Sequence, residues 1–246
     1  IQSEDGELLS DFRKDNKIND TDFTTELSIK SNTTNKINIG YQLSNKRVDY
    51  AFTETQDSPN ILDSDKATIN THSLYANYSL RNLKSFGFEL GFRTNYYIEL
   101  SSFKFEPRLL VIKNITDYLK IQATAEIKNQ IISQIEETVF SDLPLENKLW
   151  RLADNSSNSP IINSKQVSLG LIYQKNGWSF DVDSYLKNVN GISSLYLGFL
   201  NSNLNKFNNG EQKITGTDFY LKKNLDRIGI WTSYSFTQIT DQFKGI

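Results

Sequence analysis

Few residues of this 246-residue chain have the chemistry for catalysis or metal binding. His72 is the only histidine, and the chain contains no cysteine. A single histidine supplies neither a multi-histidine zinc site nor an obvious serine triad. Without cysteine there is no thiolate ligand or nucleophile. We therefore expect no enzyme, no catalytic residue, no bound metal and no cofactor, and we assign His72 a structural surface role at a loop–strand junction.

The acidic residues offer two weaker candidates for chemistry. Asp181 and Asp183 are spaced for one face of a strand, where paired carboxylates can act as acid and base. Asp57, Asp63 and Asp65 form an acidic cluster with ligands suited to Ca²⁺, but the spacing differs from that of a known calcium loop. We interpret the pair as charges on the inner face of a sheet and the cluster as a solvated loop.

Trp150 and Arg151 are the candidate ligand-binding residues. An indole can stack on a sugar ring, and a guanidinium can hold an anionic ligand. The same two side chains would serve equally well as an anchor that fixes a loop against the rim of a sheet. From the sequence both interpretations remain open.

The elements that would position these residues show a period of two. Within residues 86–100 the even positions include Phe86, Phe88, Leu90 and Phe92, and the odd positions include Glu89, Arg93 and Asn95. One face of this strand is thus apolar and the other charged or small. The alternation is longer than an average soluble strand of about five or six residues. It is long enough to cross a bilayer, which takes roughly nine to eleven residues.

The same alternation recurs along the chain and predicts about ten antiparallel strands between residues 22 and 243, preceded by a loop over 1–21. Tight turns fall near 32–35, 83–85, 114–117, 175–177 and 224–227. They alternate with long polar loops near 55–72, 132–164 and 189–211, and only the link near Ser101 is short. Short turns at one rim and long loops at the other are typical of outer-membrane β-barrels.

Two segments do not fit the simple pattern. Pro107 stands inside a predicted strand, where it removes a hydrogen-bond donor. Residues 134–137 and 145–149 lack a strand pattern, so we expect a short helix within loop 132–164 and antiparallel neighbours everywhere else.

The overall composition limits the classes of partner. The chain has 27 basic and 29 acidic side chains, so no basic field favours nucleic acid. No apolar run reaches the roughly eighteen residues that a membrane-spanning helix requires. The mean hydropathy of −0.50 is compatible with transmembrane strands, because such strands are apolar on one face only. A soluble sandwich with core aromatics is the alternative, but its strands are shorter and its turns lack this asymmetry.

Several segments, taken in order, resemble the barrels of TonB-dependent outer-membrane receptors. They are Phe105-Glu-Pro-Arg-Leu109, Leu143-Pro-Leu-Glu-Asn-Lys-Leu-Trp150, Trp178-Ser-Phe-Asp-Val-Asp-Ser-Tyr-Leu-Lys187 and Trp231-Thr-Ser-Tyr-Ser235. The resemblance covers residues 23–243 and accounts for Pro107, since a Glu-Pro-Arg strand is a feature of that family. Arg151-Leu-Ala-Asp154 departs from the family pattern, and neither its plug domain nor its TonB-contacting motif is found.

The resemblance implies an all-β fold, the antiparallel wall of a transmembrane β-barrel with about ten of roughly 22 strands. We expect residues 1–246 to be a partial barrel domain whose open, curved sheet leaves the first and last strands unpaired with each other. Residues expected on the lipid side are Phe86, Phe88, Leu90, Phe92, Ile121, Val167, Leu169, Phe180, Ile230 and Tyr234. Residues expected to face the lumen or plug are Glu89, Arg93, Asn95, Glu106, Arg108, Gln122, Glu126, Asp181 and Asp183.

The function that the resemblance implies is energised uptake of a scarce nutrient, such as a siderophore, vitamin or oligosaccharide, across the outer membrane of a Gram-negative cell. The partners would be outer-membrane lipid, the nutrient, and a TonB-type energising complex acting through a plug that this chain does not contain. A surface lipoprotein is a further candidate partner. The alternatives are a scaffold or conduit barrel in a larger surface or secretion assembly, and a soluble carbohydrate-binding β-protein.

Overall fold

The computed structural model describes residues 12–31, 34–54, 60–82, 85–138, 148–155, 159–196 and 206–243. This part of the chain consists of twelve β-strands, with no helix among the described residues. The strands are β1 (Phe12–Lys30), β2 (Asn35–Glu54), β3 (Asn60–Asn82), β4 (Phe86–Tyr97), β5 (Ser102–Asn114), β6 (Leu119–Gln130), β7 (Ile132–Thr138), β8 (Lys148–Leu152), β9 (Ile162–Lys175), β10 (Trp178–Tyr196), β11 (Lys206–Leu225) and β12 (Ile228–Phe243).

Ten of the strands form one antiparallel sheet in the order β1-β2-β3-β4-β5-β6-β9-β10-β11-β12. Tight connections join β5 to β6, β9 to β10 and β11 to β12 at one end of this sheet, as the sequence predicts. Asn176 and Gly177 take positive φ values of 52° and 76° in the second of these turns, which suits their residue types. Over the described residues no ladder joins β1 to β12, so the sheet is open, as expected.

The register gives the sheet two chemically different faces. Opposite residues in paired strands point the same way, so the pairs Leu27–Ile39, Ile39–Ala76 and Ala76–Phe92 carry one apolar row across β1 to β4. We call this the apolar face; it continues through Leu109, Ala125 and Val167. Its large side chains are exposed, with Leu27 at 61% and Leu169 at 62%. The residues expected on the lipid side all share this face. We call the other one the polar face.

Several strands are longer than the apolar alternation predicts. β1 begins at Phe12, so residues 12–21 are strand rather than part of the expected loop 1–21, of which 1–11 lie outside the described residues. Likewise β3 begins at Asn60 and β10 continues to Tyr196, which shortens the loops expected near 55–72 and 189–211. The reason is that these extensions are mostly polar, as in the ion pair of Lys46 with Asp20, and contain only scattered apolar residues such as Ile18 and Ile69. Scattered apolar residues give no run of alternation from which a strand could be predicted.

The short helix expected at residues 134–137 of loop 132–164 is wrong, and residues 139–147, which include most of the other expected segment at 145–149, lie outside the described residues. β7 and β8 instead form an antiparallel hairpin that pairs Ile132 with Leu152 and Ile135 with Leu149. The end of β7 also pairs in parallel with residues 194–196 of β10, which corrects the expectation of antiparallel neighbours throughout. Ile135 and Leu152 are fully buried, so apolar packing against the sheet favours strands where the local pattern does not.

The hairpin folds over the polar face at the end opposite the tight turns. A buried cluster forms there from Val48, Ile69, Tyr97, Ile131, Leu152 and Ala153. Each fully buried apolar side chain of this kind contributes roughly 1.5–3 kcal/mol. This cluster therefore fixes β7 and β8 against β2 and β3.

Pro107 fits because β5 and β6 separate at this residue. The ladder between them ends at the pair of Arg108 with Glu126. Beyond it a carboxylate oxygen of Glu106 accepts hydrogen bonds from the backbone N–H of Asn129 (2.8 Å) and from its side-chain amide (3.2 Å). The Glu106 side chain thus accepts a hydrogen bond from β6 where the β5 backbone next to Pro107 no longer pairs with that strand.

Candidate functional site

The polar face carries a hydrogen-bonded network centred on Arg93. Its guanidinium donates to Gln42 Oε1 (2.6 Å), Ser73 Oγ (2.8 Å) and Asn95 Oδ1 (2.8 Å). The same guanidinium lies 5.8 Å from the centroid of the Tyr75 ring. The structure therefore brings the predicted Arg93 and Asn95 together, and β2 and β3 supply partners that sequence reasoning missed.

The other residues expected on the inner side lie on the same face in smaller groups. Glu89 accepts from Arg81 (2.5 Å), Arg108 donates to Asn77 (2.6 Å), Gln122 donates to Asp183 (3.1 Å), and Lys128 donates to Glu126 (2.9 Å). Asp181 is also on this face, and its buried Oδ1 has no hydrogen-bond partner among the described residues. The contact of Lys128 with Glu126 lies within β6 and the other three join different strands, so these are separate contacts and not one converging centre.

Glycines on the polar face lie directly opposite long side chains. Gly40 faces Tyr75, Gly91 faces Arg108, Gly170 faces Gln122, and Gly216 faces Tyr185. A Cβ added at Gly40 would lie 2.2 Å from the Tyr75 ring, so the ring occupies the space of a side chain. Tyr75 reaches across the neighbouring strand and donates to Glu26 of β1 at 3.0 Å. In the sequence, the signal for such pairs is a glycine that stands among large residues at the polar-face positions of a strand.

Trp150 and Arg151 lie on β8, above the buried cluster. The Trp150 backbone N–H donates to Asn16 Oδ1 (3.1 Å), and its carbonyl oxygen accepts from Asn16 Nδ2 (3.5 Å), so an asparagine side chain acts like a ladder partner. Arg151 Nη2 lies 3.6 Å from carboxylate oxygens of both Asp65 and Asp154. The indole of Trp150 is partly buried against the cluster, as a loop anchor would be.

Asp65 and His72, two further candidates from the sequence, both lie within strand β3. Asp65 lies on β3 rather than in a solvated loop, while Asp57 and the side chain of Asp63 fall outside the described residues. His72 also lies within β3, not at a loop–strand junction, and its Nδ1 is 2.6 Å from the Tyr41 hydroxyl. Among the described residues no group of three or more His, Cys, Asp or Glu side chains is placed to hold a metal ion.

Two groups with shifted pKa values, Asp49 and Tyr97, lie outside the band of apolar residues. The guanidinium of Arg47 donates to Asp49 (2.8 Å), and this hydrogen bond holds the pKa of the carboxyl below its ordinary value. Burial raises the pKa of Tyr97 above that of an ordinary phenol. Tyr97 therefore remains neutral under the hairpin.

These features together define the fold as an open antiparallel sheet with one apolar and one polar face, the architecture of a β-barrel wall. Similar solved structures include the siderophore receptor PirA from Pseudomonas aeruginosa, with a TM-score of 0.63 and 12% identity over 91% of this chain and 41% of that one. The ferric yersiniabactin uptake receptor FyuA from Yersinia pestis matches with a TM-score of 0.63 and 10% identity, over 93% of this chain and 37% of that one. The RagAB peptide transporter matches with a TM-score of 0.57 and 11% identity, over 94% of this chain and 31% of that one.

The likeness to known proteins is one of fold. No family model matches the sequence. No curated protein matches it either. The chain spans about two fifths or less of the length of these solved structures. Among the described residues no helix is long and apolar enough to cross a membrane.

Proposed function

We propose that this chain forms part of the wall of a TonB-dependent outer-membrane transporter that takes up a scarce nutrient in a Gram-negative cell. The observation that carries the proposal is the two-faced sheet. Large apolar side chains remain exposed along one face of ten strands, while the other face holds polar and charged side chains in several separate hydrogen-bonded groups. An exposed apolar surface of this extent needs a partner, and in a transmembrane barrel that partner is lipid.

In this proposal the polar face lines the lumen. Glu89, Arg93, Asn95, Glu106, Arg108, Gln122, Glu126, Asp181 and Asp183 would meet water, the nutrient or a plug. A TonB-type complex would act through that plug, and a surface lipoprotein could cover the far rim.

The β7–β8 hairpin is the proposed contact for the nutrient. It lies over the polar face at the end away from the tight turns, which is the extracellular end of such a barrel. Trp150 and Arg151 are the proposed ligand-binding residues. Siderophore receptors and a peptide transporter share the fold, and a siderophore, a vitamin, an oligosaccharide or a peptide remains a candidate ligand for this protein.

The first test places one positive charge on each face of β9. Leu169 points to the apolar face and is 62% exposed, whereas Gln166 points to the polar face of the same strand. Arginine near the middle of the lipid face costs about 2–4 kcal/mol. We expect Leu169→Arg to make folding into lipid vesicles less favourable by that amount, and Gln166→Arg to change the free energy of folding little. Equal effects in the full-length protein would contradict a lipid-facing sheet.

A second test separates uptake from the scaffold or conduit alternative. Cells that express the protein should accumulate one of a panel of labelled ferric siderophores, vitamins, oligosaccharides or peptides. This accumulation should stop when the proton gradient is dissipated or TonB is deleted. A passive conduit would remain permeable under both treatments.

A further inference from the structure

The apolar face carries a recess where β5 and β6 separate beyond Arg108 and Glu126. Its volume is about 450 Å³. Its lining is mostly apolar, from Leu90, Pro107, Leu109, Ala125, Ile127, Val167 and Leu186, and also includes Arg108, Glu126 and Gln166. Pockets of 300–1,000 Å³ bury most of a small ligand, so this recess has room for part of an acyl chain.

One lysine lines the end of the recess that is farther from the tight turns, and a second lies two strands away at the same height. Lys165 lines that end, and the register pairs it with Asn188, which is paired in turn with Lys213 of β11. The three exposed side chains therefore form one row on the apolar face. Adjacent strands are about 4.8 Å apart, so the two lysine backbones are about 10 Å apart. Two flexible lysine side chains can close that gap around one phosphate.

The charge of this row is not neutralised within the described part of the chain. Neither Lys165 nor Lys213 has a hydrogen-bond or ion-pair partner there. Glu211 lies on the same face of β11, two residues farther from the tight turns. A phosphate that approaches from the apolar band therefore meets the lysines before that carboxylate.

The height of the row matches a lipid headgroup. Lys165 lies ten residues before Lys175, the last residue of β9 at the tight turn. Ten residues of a strand cover about 33 Å. At a tilt of roughly 35–45° this crosses an apolar band about 25 Å tall. The row thus lies at the interface away from the tight turns, directly above the recess.

We propose that this place binds a phosphate-bearing lipid, with its phosphate between Lys165 and Lys213 and one acyl chain in the recess next to Pro107. The inference rests on the proposed function, because it requires the apolar face to contact lipid. The bound lipid would cover the gap that the separation of β5 and β6 leaves in the sheet.

The test measures lipid retention by native mass spectrometry of the full-length protein in detergent. Dioleoyl phosphatidic acid is the probe, and dioleoyl phosphatidylcholine is the matched lipid without net charge. We expect Lys165→Gln with Lys213→Gln to weaken phosphatidic acid binding about 25-fold, about fivefold for each lysine, without changing phosphatidylcholine binding. The control is Lys187→Gln, which removes a lysine from the polar face of β10 next to Asn188 and should leave both lipids bound as before.

A second variant tests the recess. Ala125→Phe should fill it and release phosphatidic acid while both lysines remain. Inorganic phosphate at millimolar concentration should not displace the lipid from the unchanged protein. If inorganic phosphate displaces it and Ala125→Phe has no effect, the lysines bind a free ion and the lipid site is wrong. Unchanged retention in the double lysine variant also overturns the proposal.

The two proposals fail in different ways. If Leu169→Arg and Gln166→Arg fold equally well into vesicles, the proposed function is wrong. If they differ as expected but the double lysine variant retains phosphatidic acid, only the lipid site is wrong.

Discussion

At the scale of single residues, the polar face depends on pairs in which a glycine makes room for a long neighbour. Gly40 and Tyr75 are the clearest case, because the atoms that a new Cβ would meet all belong to the Tyr75 ring. The ring lies over the β2 backbone, and its hydroxyl reaches Glu26 on β1. One side chain therefore connects three strands.

A double-mutant cycle tests this pair. Gly40→Ala forces the Tyr75 ring to move and should lower the free energy of unfolding by about 1–3 kcal/mol, the usual cost of overpacking. In a Tyr75→Ala background the same substitution should cost nothing. Gly229→Ala is the matched control, because its Cβ would meet only Asn224 Oδ1 at 3.3 Å. Urea unfolding in detergent micelles gives the free energy of unfolding of all five proteins: the unchanged protein, the two single variants, the double variant and the control. Equal costs of Gly40→Ala in both backgrounds would contradict the pairing.

The Glu106 side chain compensates for the backbone hydrogen bonding that is lost between β5 and β6 at Pro107. Glu106→Ala leaves the Asn129 N–H without its acceptor, which costs about 1–3 kcal/mol for a buried donor. Glu106→Gln keeps an acceptor oxygen and should cost less. Hydrogen exchange at the Asn129 amide reports the effect directly: we expect faster exchange in the alanine variant and near-normal exchange in the glutamine variant. Unchanged exchange in Glu106→Ala would show that another group holds this amide.

Sequence reasoning at this scale was only partly successful. Alternation was enough to place Arg93, Asn95 and Glu106 on one face, because strand geometry fixes the direction of each side chain. It did not identify Gln42, Ser73 or Tyr75 as partners of Arg93. Those contacts depend on the register between β2, β3 and β4, and a single strand does not encode its neighbours' register.

At the scale of elements, the β7–β8 hairpin is the part of the fold that sequence reasoning missed. Its pattern is weak because its apolar residues are few, and its strand form depends on packing against β2 and β3. Leu152 is 1% exposed in the shared cluster, and Asn16 bonds to the Trp150 backbone from β1. Long-range contacts of this kind have no signature in a local window.

A cavity in the cluster should release the hairpin without unfolding the sheet. Leu152→Ala removes a buried side chain, a change that costs about 2–5 kcal/mol, while Gln134→Ala alters an exposed residue of β7. We expect faster proteolysis within residues 132–155 in the first variant only, with unchanged membrane insertion of both. If Leu152→Ala also prevents insertion, the hairpin is part of the folding core of the sheet rather than an element that lies on it.

At the scale of the whole molecule, the sequence predicts the all-β class, the open ten-stranded sheet, the positions of the tight turns and the two faces. The class, the turns and the two faces follow from a period of two along most of the long strands, whereas the open sheet was expected from the resemblance to larger barrels. The true strand lengths were not predictable, because the extensions of β1 and β3 are mostly polar and their few apolar residues, such as Ile18 and Ile69, form no continuous alternation. The parallel pairing of β7 with β10 could not be predicted either, because the two strands meet only in the folded sheet.

The most direct test of a lipid-facing wall is a nitroxide scan along β9. Because the chain contains no cysteine, a single cysteine introduced at Gln166, Val167, Ser168 or Leu169 is the only one in the chain that the nitroxide can label. Collision rates with oxygen, which partitions into lipid, and with a water-soluble nickel chelate are then measured in vesicles by electron paramagnetic resonance. We expect a period of two: labels at Val167 and Leu169 collide with oxygen, and labels at Gln166 and Ser168 collide more with the nickel chelate. Access of the chelate to Val167 and Leu169, or their protection from both reagents as in a packed sandwich, would contradict it.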